Sequence, residues 1–294
     1  MRILNYGSLN LDNVYSVDHI VQPGETISST SLEIFCGGKG LNQSVALARA
    51  GAHVFHAGMI GSDGEELLEV CRQNGINTGN IRNIEGHSGH AIIQVSASGQ
   101  NSIVLYGGAN QKNEKAYVDQ VFSSFQKGDW LLLQNEVNLL DYMIERAANM
   151  EMLIALNPSP FHEKIKNCDL HKVSIFLLNE IEGEQITGEK QPDVILDTML
   201  KMYPKSKIVL TLGRSGVIYA DKDARYNHGV YKVPVVDTTA AGDTFTGYFL
   251  ANLINGKHPE EAIHIASLAS SLAVSKKGAV DSIPWKQDVE NAGF

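Results

Sequence analysis

Between residues 53 and 212 short apolar runs take turns with amphipathic stretches of helical period, and this alternation restricts the fold more than any other feature of the chain. Runs at 53–59, 130–134, 152–156, 174–178 and 208–212 have the length and composition of strands. The stretches 65–73, 114–125, 139–149, 180–186 and 194–202 carry apolar residues at helical spacing. Strands that alternate with helices need crossover connections, which place helices on both faces of a mainly parallel sheet. Residues 2–6 add a strand at the start, and 244–254 and 260–275 add two small-residue-rich helices near the end. The expected class is α/β, with 1–294 read as one main domain large enough to bury a sizeable core.

Two regions break the alternation. Residues 19–35 hold a Pro23-Gly24-Glu25 turn and then a β-prone, half-polar segment; 91–95 and 102–106 flank a second turn. They read as strands outside the main sheet, a small flap inserted in two pieces at about 14–36 and 90–106. A flap of two to four strands is marginal alone and must rest on something else.

Polar residues recur where strands end: Asn10 and Asp12, Gln134-Asn135-Glu136, Asn157, Asn179 with Glu182, and the run from Thr211 to Gly216. Open α/β sheets gather ligands outside the carboxyl ends of their strands, so these exits describe one long cleft. Asn10 and Asp12 either grip a polyol or form an ordinary Asn/Asp turn. A late stretch, Val236-Asp237-Thr238-Thr239-Ala240-Ala241-Gly242-Asp243-Thr244, leads from an apolar run at 230–236 into a helical pattern beginning near Thr244. Its small residues let backbone amides converge at a helix start, a natural anion site. Asp243 at its rim is either an N-cap or a base awaiting a hydroxyl that will attack a phosphoryl group. Cys36-Gly37-Gly38-Lys39-Gly40-Leu41-Asn42-Gln43 also opens a helix, closed by Gly51. It lacks both the P-loop spacing and the third glycine of the dinucleotide fingerprint. It is either a sugar site, where glycines admit a ligand beside Lys39 and Asn42, or a glycine-rich helix start with a solvated lysine.

Composition removes several classes. A net charge of −9 with no clustered Lys or Arg argues against nucleic acid and anionic membranes as partners. No apolar run approaches transmembrane length, and residues 1–7 turn polar too soon for a secretory leader. Cys36, Cys71 and Cys168 are too few and too scattered for a disulfide framework or zinc site; the expectation is reduced thiols in a cytoplasmic protein.

Gly37-Gly38-Lys39-Gly40-Leu41-Asn42-Gln43 and Asp237-Thr238-Thr239-Ala240-Ala241-Gly242-Asp243-Thr244-Phe245 together resemble the two signatures of the ribokinase-like carbohydrate kinases, and the likeness runs from Gly7-Ser8-Leu9-Asn10 to Ser282-Ile283-Pro284-Trp285. The resemblance implies a three-layer α/β/α sandwich with a small β-sheet lid. It implies ATP-dependent phosphorylation of D-ribose at O5, or of another sugar or a nucleoside. Asp243 would be the base, and Ala240, Ala241 and Gly242 the anion hole. Asn10, Asp12, Gly38, Lys39, Asn42 and Glu136 would hold the sugar, with Ala91, Ile93, Ile103 and Leu105 as an apolar lining above it. Asn179, Thr211, Gly213, Arg214, Ser215, Gly216 and Ser267, with Ala241 and Gly242, would contact the nucleotide. Asn179 and Glu182 would organise Mg²⁺. Asp237, Thr239, Ala273, Lys276, Gly278 and Ser282 match positions for an activating monovalent cation, K⁺. A homodimer through the lid completes the expectation. Three features depart from the pattern: alanine at 240, where glycine is usual; Ser267; and the bulky His90 and Tyr106 on the flap, which put the identity of the sugar in question. Two other classes compete with a kinase. A nicotinamide-dependent oxidoreductase lacks its third glycine here, and a catalytically dead sugar-binding module sits badly with an intact Asp243.

Overall fold

The computed structural model describes residues 1–293. In chain order the strands are β1 (Arg2–Tyr6), β2 (Asn10–Val17), β3 (Ser31–Gly37), β4 (His53–Ile60), β5 (Asn77–Asn83), β6 (Gly89–Ser96), β7 (Asn101–Tyr106), β8 (Trp130–Gln134), β9 (Leu153–Asn157), β10 (Ile175–Asn179), β11 (Lys207–Thr211), β12 (Val217–Ala220) and β13 (Arg225–His228). The helices are α1 (Lys39–Arg49), α2 (Glu65–Gln73), α3 (Lys115–Phe122), α4 (Leu140–Asn149), α5 (Glu180–Thr187), α6 (Pro192–Met202), α7 (Ala241–Ile254), α8 (Pro259–Val274) and α9 (Lys286–Asn291).

Nine strands form the main sheet in the order β13-β12-β11-β10-β9-β8-β1-β4-β5. From β11 to β5 every pairing is parallel; β12 and β13 add an antiparallel edge. Strand side chains alternate between faces, so β1 sends Ile3 to one core and Leu4 and Tyr6 to the other. The first core lies under α1, α7 and α8; the second lies under α3, α4 and α6. This is the three-layer α/β/α arrangement that alternation and resemblance both predict. The apolar central strands announced themselves because burial on both faces demands it. The edge strands β5, β12 and β13 were not foreseen: β5 reads Asn-Thr-Gly-Asn-Ile-Arg-Asn, an edge with little apolar surface.

The second sheet has four strands in the order β3-β2-β6-β7. Its first strand begins at Asn10, four residues before the expected start, so the chain leaves β1 and enters the lid after only three residues. Residues 26–30 are not strand; β3 starts at Ser31. The apolar run 230–236 is not a strand either, and Val230, Val235 and Val236 are about half exposed. The helix that follows starts at Ala241, three residues before the predicted Thr244.

Candidate functional site

The site forms where β1, α1 and α7 meet at the carboxyl edge of the sheet. Gly7 and Gly40 are there because the backbones nearly touch: a Cβ on Gly40 would lie 2.3 Å from the Ser8 amide nitrogen. Ser8, at the exit of β1, receives the Gly40 amide on its hydroxyl (3.1 Å) and donates to Glu136, which lies beyond β8. Glu136 also accepts the Lys39 amide at 3.0 Å. Burial alone would pull the Lys39 ammonium down, but Asp243, Glu136 and Glu182 around it outweigh that and hold it above its usual range. Burial likewise pushes the Glu136 carboxyl up, against the pull of Lys39 and the Ser8 hydroxyl.

Asp243 sits in the first turn of α7 and is 7% exposed. Asn42 donates to its Oδ2 (3.0 Å) and Gln43 to its Oδ1 (2.8 Å), both from the first turn of α1. Asn42 keeps a buried Oδ1 with no protein partner. Ala240 caps α7 with φ 58° and no side-chain bond, which explains the usual glycine at this position. Of the first α7 amides, Ala241 bonds Thr238 and Thr244 bonds Ala240, while those of Gly242 and Asp243 have no protein acceptor.

The lid closes one end. Cross-strand register puts Asp12, Ala91 and Leu105 side by side, with Ile93 and Ile103 two positions on along the same face. Ala91 is buried, whereas Ile103 and Leu105 are about half exposed. Burial, together with the neighbouring Glu136 charge, pushes the Asp12 carboxyl up to about 7. Asn10 is buried, and its Oδ1 accepts Asn110 Nδ2 at 2.7 Å. Asn110 also brackets Leu9, donating to its carbonyl (3.3 Å) and accepting its amide (3.1 Å). Gly38 lies 3.2 Å, by a virtual Cβ, from the Asn10 amide group. His90 lies beside Tyr106 on the opposite face of the lid, with tilted rings whose centroids are 5.0 Å apart, so neither shares the face of Asp12, Ala91 and Leu105.

At the other end, a polar cavity of about 250 Å³ is lined by Lys39, Asn179, Glu182, Thr211, Gly242 and Asp243, among others. Asn179 and Glu182 form a reciprocal capping box on α5: Asn179 Oδ1 takes the Glu182 amide at 2.9 Å and Glu182 Oε2 takes the Asn179 amide at 3.0 Å. The polar cavity opens past Thr211, Thr238, Ala241 and Gly242 into an apolar one of about 540 Å³. Gly213, Arg214, Gly216 and Ser267 line it, and Ser215 shares the turn without lining it. Val230, Tyr231, Val233, Val235 and Val274 give the wall much of its apolar surface. Asp237 accepts the Thr239 amide (2.9 Å), the Thr239 hydroxyl (2.7 Å) and the Gly278 amide (3.0 Å). Partial burial would raise the Asp237 carboxyl, but these donors and the nearby Lys277 hold it below its usual range. Ala273 and Lys276 join at the end of α8 (3.1 Å), and buried Ser282 bonds the Ala279 carbonyl (2.8 Å), with no bond to Asp237.

Sequence reading missed Gln43, Asn110 and the 230–235 wall. Gln43 lay inside a quoted motif, but only the docking of α1 on α7 reveals what its side chain meets. Asn110 lies in a short 3₁₀ helix (Gly108–Gln111) and carries no pattern. The 230–235 run had a visible signal, an apolar stretch too exposed for a strand once placed.

These features define a phosphoryl-transfer enzyme acting on a small hydroxylated substrate, and comparison with known proteins agrees. A family described as pfkB family carbohydrate kinase matches residues 2–286, and the chain belongs to that family of ATP-dependent carbohydrate kinases. A ribokinase of Haemophilus influenzae is 36% identical over 291 residues, covering 96% of this chain and 95% of the relative. The ribokinase of Cryptococcus neoformans in complex with ADP superposes with a TM-score of 0.87 at 32% identity, over 99% of each chain. The ribokinase of Arabidopsis thaliana complexed with ribose and ATP gives a TM-score of 0.86 at 26% identity, over 99% of this chain and 97% of that one.

Proposed function

We propose that the chain transfers the γ-phosphoryl group of ATP to O5 of D-ribose, forming ribose 5-phosphate and ADP. The observation that carries this reading is Asp243 lying beside two unpartnered helix amides, on a polar cavity that adjoins an apolar one. In this reading the apolar cavity takes the base, with Gly213, Arg214, Gly216 and Ser267 along it. The phosphates cross the start of α7, where Ala240, Ala241 and Gly242 shape the hole. Asn10, Asp12, Gly38, Lys39, Asn42 and Glu136 hold the secondary hydroxyls, and Ala91, Ile93, Ile103 and Leu105 cover the ring. Asp243 accepts the proton of the attacking hydroxyl while the amides and Lys39 hold the transferred group.

Asn179 and Glu182 would hold Mg²⁺ in this scheme; the cap uses Glu182 Oε2, which leaves a buried carboxylate facing the polar cavity. Bound Mg²⁺ would neutralise phosphate charge. Asp237, Thr239, Ala273, Lys276, Gly278 and Ser282 offer one carboxylate among hydroxyl and carbonyl oxygens, a donor set of low charge that suits a monovalent cation such as K⁺. The outer lid face exposes Leu32, Ile34, Ile92, Val104 and Tyr106, which a second copy would cover in a homodimer. A monomer mass in sedimentation at micromolar concentration would count against that assembly.

The test is a panel of D-ribose, 2-deoxyribose, fructose and adenosine with ATP, read as ADP release. A site that pairs with a secondary hydroxyl loses about 1–3 kcal/mol when the hydroxyl is missing. Ribose should therefore exceed 2-deoxyribose in kcat/KM by roughly 5- to 150-fold. Asp243→Asn should keep ATP binding and lose on the order of 10²–10⁴ in kcat. Equal or better turnover of 2-deoxyribose or adenosine would refute the ribose assignment, and an active Asp243→Asn would refute the base.

A further inference from the structure

Behind Asp243 three buried side-chain amides run in a line to a single backbone carbonyl, with one buried hydroxyl branching from its end. Asn5 Nδ2 donates to Gly40 O (2.7 Å) and to Ser44 Oγ (2.8 Å). A peptide carbonyl only accepts, so Asn5 must present its NH₂ to α1 and its Oδ1 to β8. Gln134 therefore presents its NH₂ to Asn5 Oδ1 (2.9 Å), and the same nitrogen donates to Gln43 Oε1 (2.7 Å). Both Gln134 protons are thus engaged. Gln43, turned to offer its oxygen to Gln134, has only its NH₂ left for Asp243 Oδ1, which it reaches at 2.8 Å. Asn5, Gln43, Ser44 and Gln134 are all fully buried, so water does not compete. On the far side Ser44 Oγ and His56 Nδ1 share a hydrogen bond (2.7 Å), and burial pushes His56 down to about 4, leaving it neutral. No member of the line except Gln43 touches Asp243.

We propose that Gln134 and Gln43 are positioning residues for phosphoryl transfer: the Gly40 carbonyl fixes the direction of every hydrogen bond in the line, and Asp243 is thereby always met by a donor. The proposal rests on the reading of Asp243 as the base. A donor at Oδ1 holds the carboxylate in one rotamer, while Asn42 does the same at Oδ2. Reversing the direction anywhere along the line would bring an acceptor against Asp243 instead. The charged groups coupled to Asp243 are Lys39 of α1 and Glu136 beyond β8, neither of which belongs to the line.

The experiment reverses the direction from a distance. Gln134→Glu places an acceptor where Gln134 Nε2 stood, so Gln43 must turn its NH₂ to residue 134 and its oxygen to Asp243. We expect kcat with ribose to fall at least tenfold, with the KM for ATP within twofold of wild type. Gln134→Met removes the anchor without reversing it and should cost less than Gln134→Glu. In a Gln43→Leu background, which cannot transmit the reversal, Gln134→Glu should add less than twofold, a non-additivity that a merely structural defect would not give. A folded Gln134→Glu enzyme with wild-type kcat, or full additivity with Gln43→Leu, would overturn the proposal. Should Gln134→Glu not fold, Gln43→Glu against Gln43→Leu decides it. The isosteric acid must be the worse of the two, and the reverse order overturns the proposal. An active Asp243→Asn would signal failure of the base assignment itself rather than of the line behind it.

Discussion

Gly247→Ala should separate the two halves of the site without touching either. Gly247 faces α1, one turn along α7 from Asp243, and a Cβ there would lie 2.4 Å from Ala46 Cβ and 2.7 Å from the Leu47 amide nitrogen. Ordinary carbon contacts are about 3.5–4.0 Å, so the helices must part by roughly 1 Å or more. A backbone amide cannot swing aside as a long side chain can. Ala46 lies one turn beyond Asn42 and Gln43, so the displacement arrives where those residues grip Asp243 at 3.0 and 2.8 Å. Stretched by about 1 Å, both contacts leave hydrogen-bonding range. Overpacking of this kind costs about 1–3 kcal/mol. For a chain of this size that lowers Tm by about 2–10 °C. A base displaced by about 1 Å costs on the order of 10²-fold in rate. The assay pairs scanning fluorimetry with coupled ADP release. Gly242→Ala serves as the control for stability, because its Cβ would meet nothing within 4 Å and Tm should hold. If Gly247→Ala lowers Tm as stated but keeps kcat within about threefold, alignment does not pass through the α1–α7 contact and the reasoning fails. An unchanged Tm would show that the helices yield without strain.

Three further outcomes follow from the charges and donors described above. Asp12, with its carboxyl raised to about 7, is neutral below that pH and ionised above it; the KM for ribose should therefore rise as pH falls from 8 to 6 while that for ATP stays flat, and Asp12→Asn should bind ribose weakly with no such dependence. Equal ribose KM values at pH 6 and 8 would refute this. His56, held down near 4 against an unfolded value of 6.5, stays neutral in the folded chain while the unfolded chain takes up a proton; stability should be fully present above about pH 6.5 and decline by about 3 kcal/mol as pH falls toward 4. Chemical denaturation of wild type and His56→Gln across that window checks it, the variant losing less on acidification. Potassium should raise kcat more than sodium does, and Asp237→Asn should abolish the difference; identical rates in potassium-free buffer would dismiss the cation site.

How far the sequence spoke depended on what each residue had to do locally. Central strands such as Leu131 to Leu133 are apolar because both of their faces are covered, and their pattern is visible in a window of five residues. β13, Arg-Tyr-Asn-His, meets solvent on its open edge and has no such need, so it left no trace. The signatures were legible for a similar reason. Gly38 is required by local backbone geometry (φ 91°), and both signatures lie in short continuous stretches. What stayed hidden was the meeting of these pieces. Asn42 and Asp243 are 201 residues apart, and their bond exists because Gly247 lets α7 approach α1 closely. No spacing in the chain encodes that distance. Asn110 was hidden for the same reason: it acts by bracketing Leu9, 101 residues away, and so orients Asn10.

Both signature loops open helices from a residue in the left-handed region, Gly38 at φ 91° and Ala240 at φ 58°, with no side-chain cap at either. By the general argument from helix dipoles each would be an anion site, yet the fate of their amides differs. At α1 the Lys39 amide goes to Glu136, Gly40 to the Ser8 hydroxyl, Leu41 to the Ser8 carbonyl and Asn42 to the Gly38 carbonyl. All four are taken, one by a carboxylate, and a phosphate there would have to displace a negative charge. At α7 the amides of Gly242 and Asp243 have no protein acceptor, and they open onto the polar cavity that Lys39 also lines. Unsatisfied donors at a helix start are costly unless a ligand or water completes them. In the proposed reading the phosphoryl group would sit at α7, and the glycine-rich start of α1 would bring Glu136, Lys39 and Asn42 up to the substrate. Gly242→Pro would test the division, since it removes one of the two open amides at a helix position that tolerates proline. It should weaken ATP turnover sharply while leaving ribose binding in place. Loss of ribose affinity with ATP turnover preserved would reverse the assignment of the two helix starts.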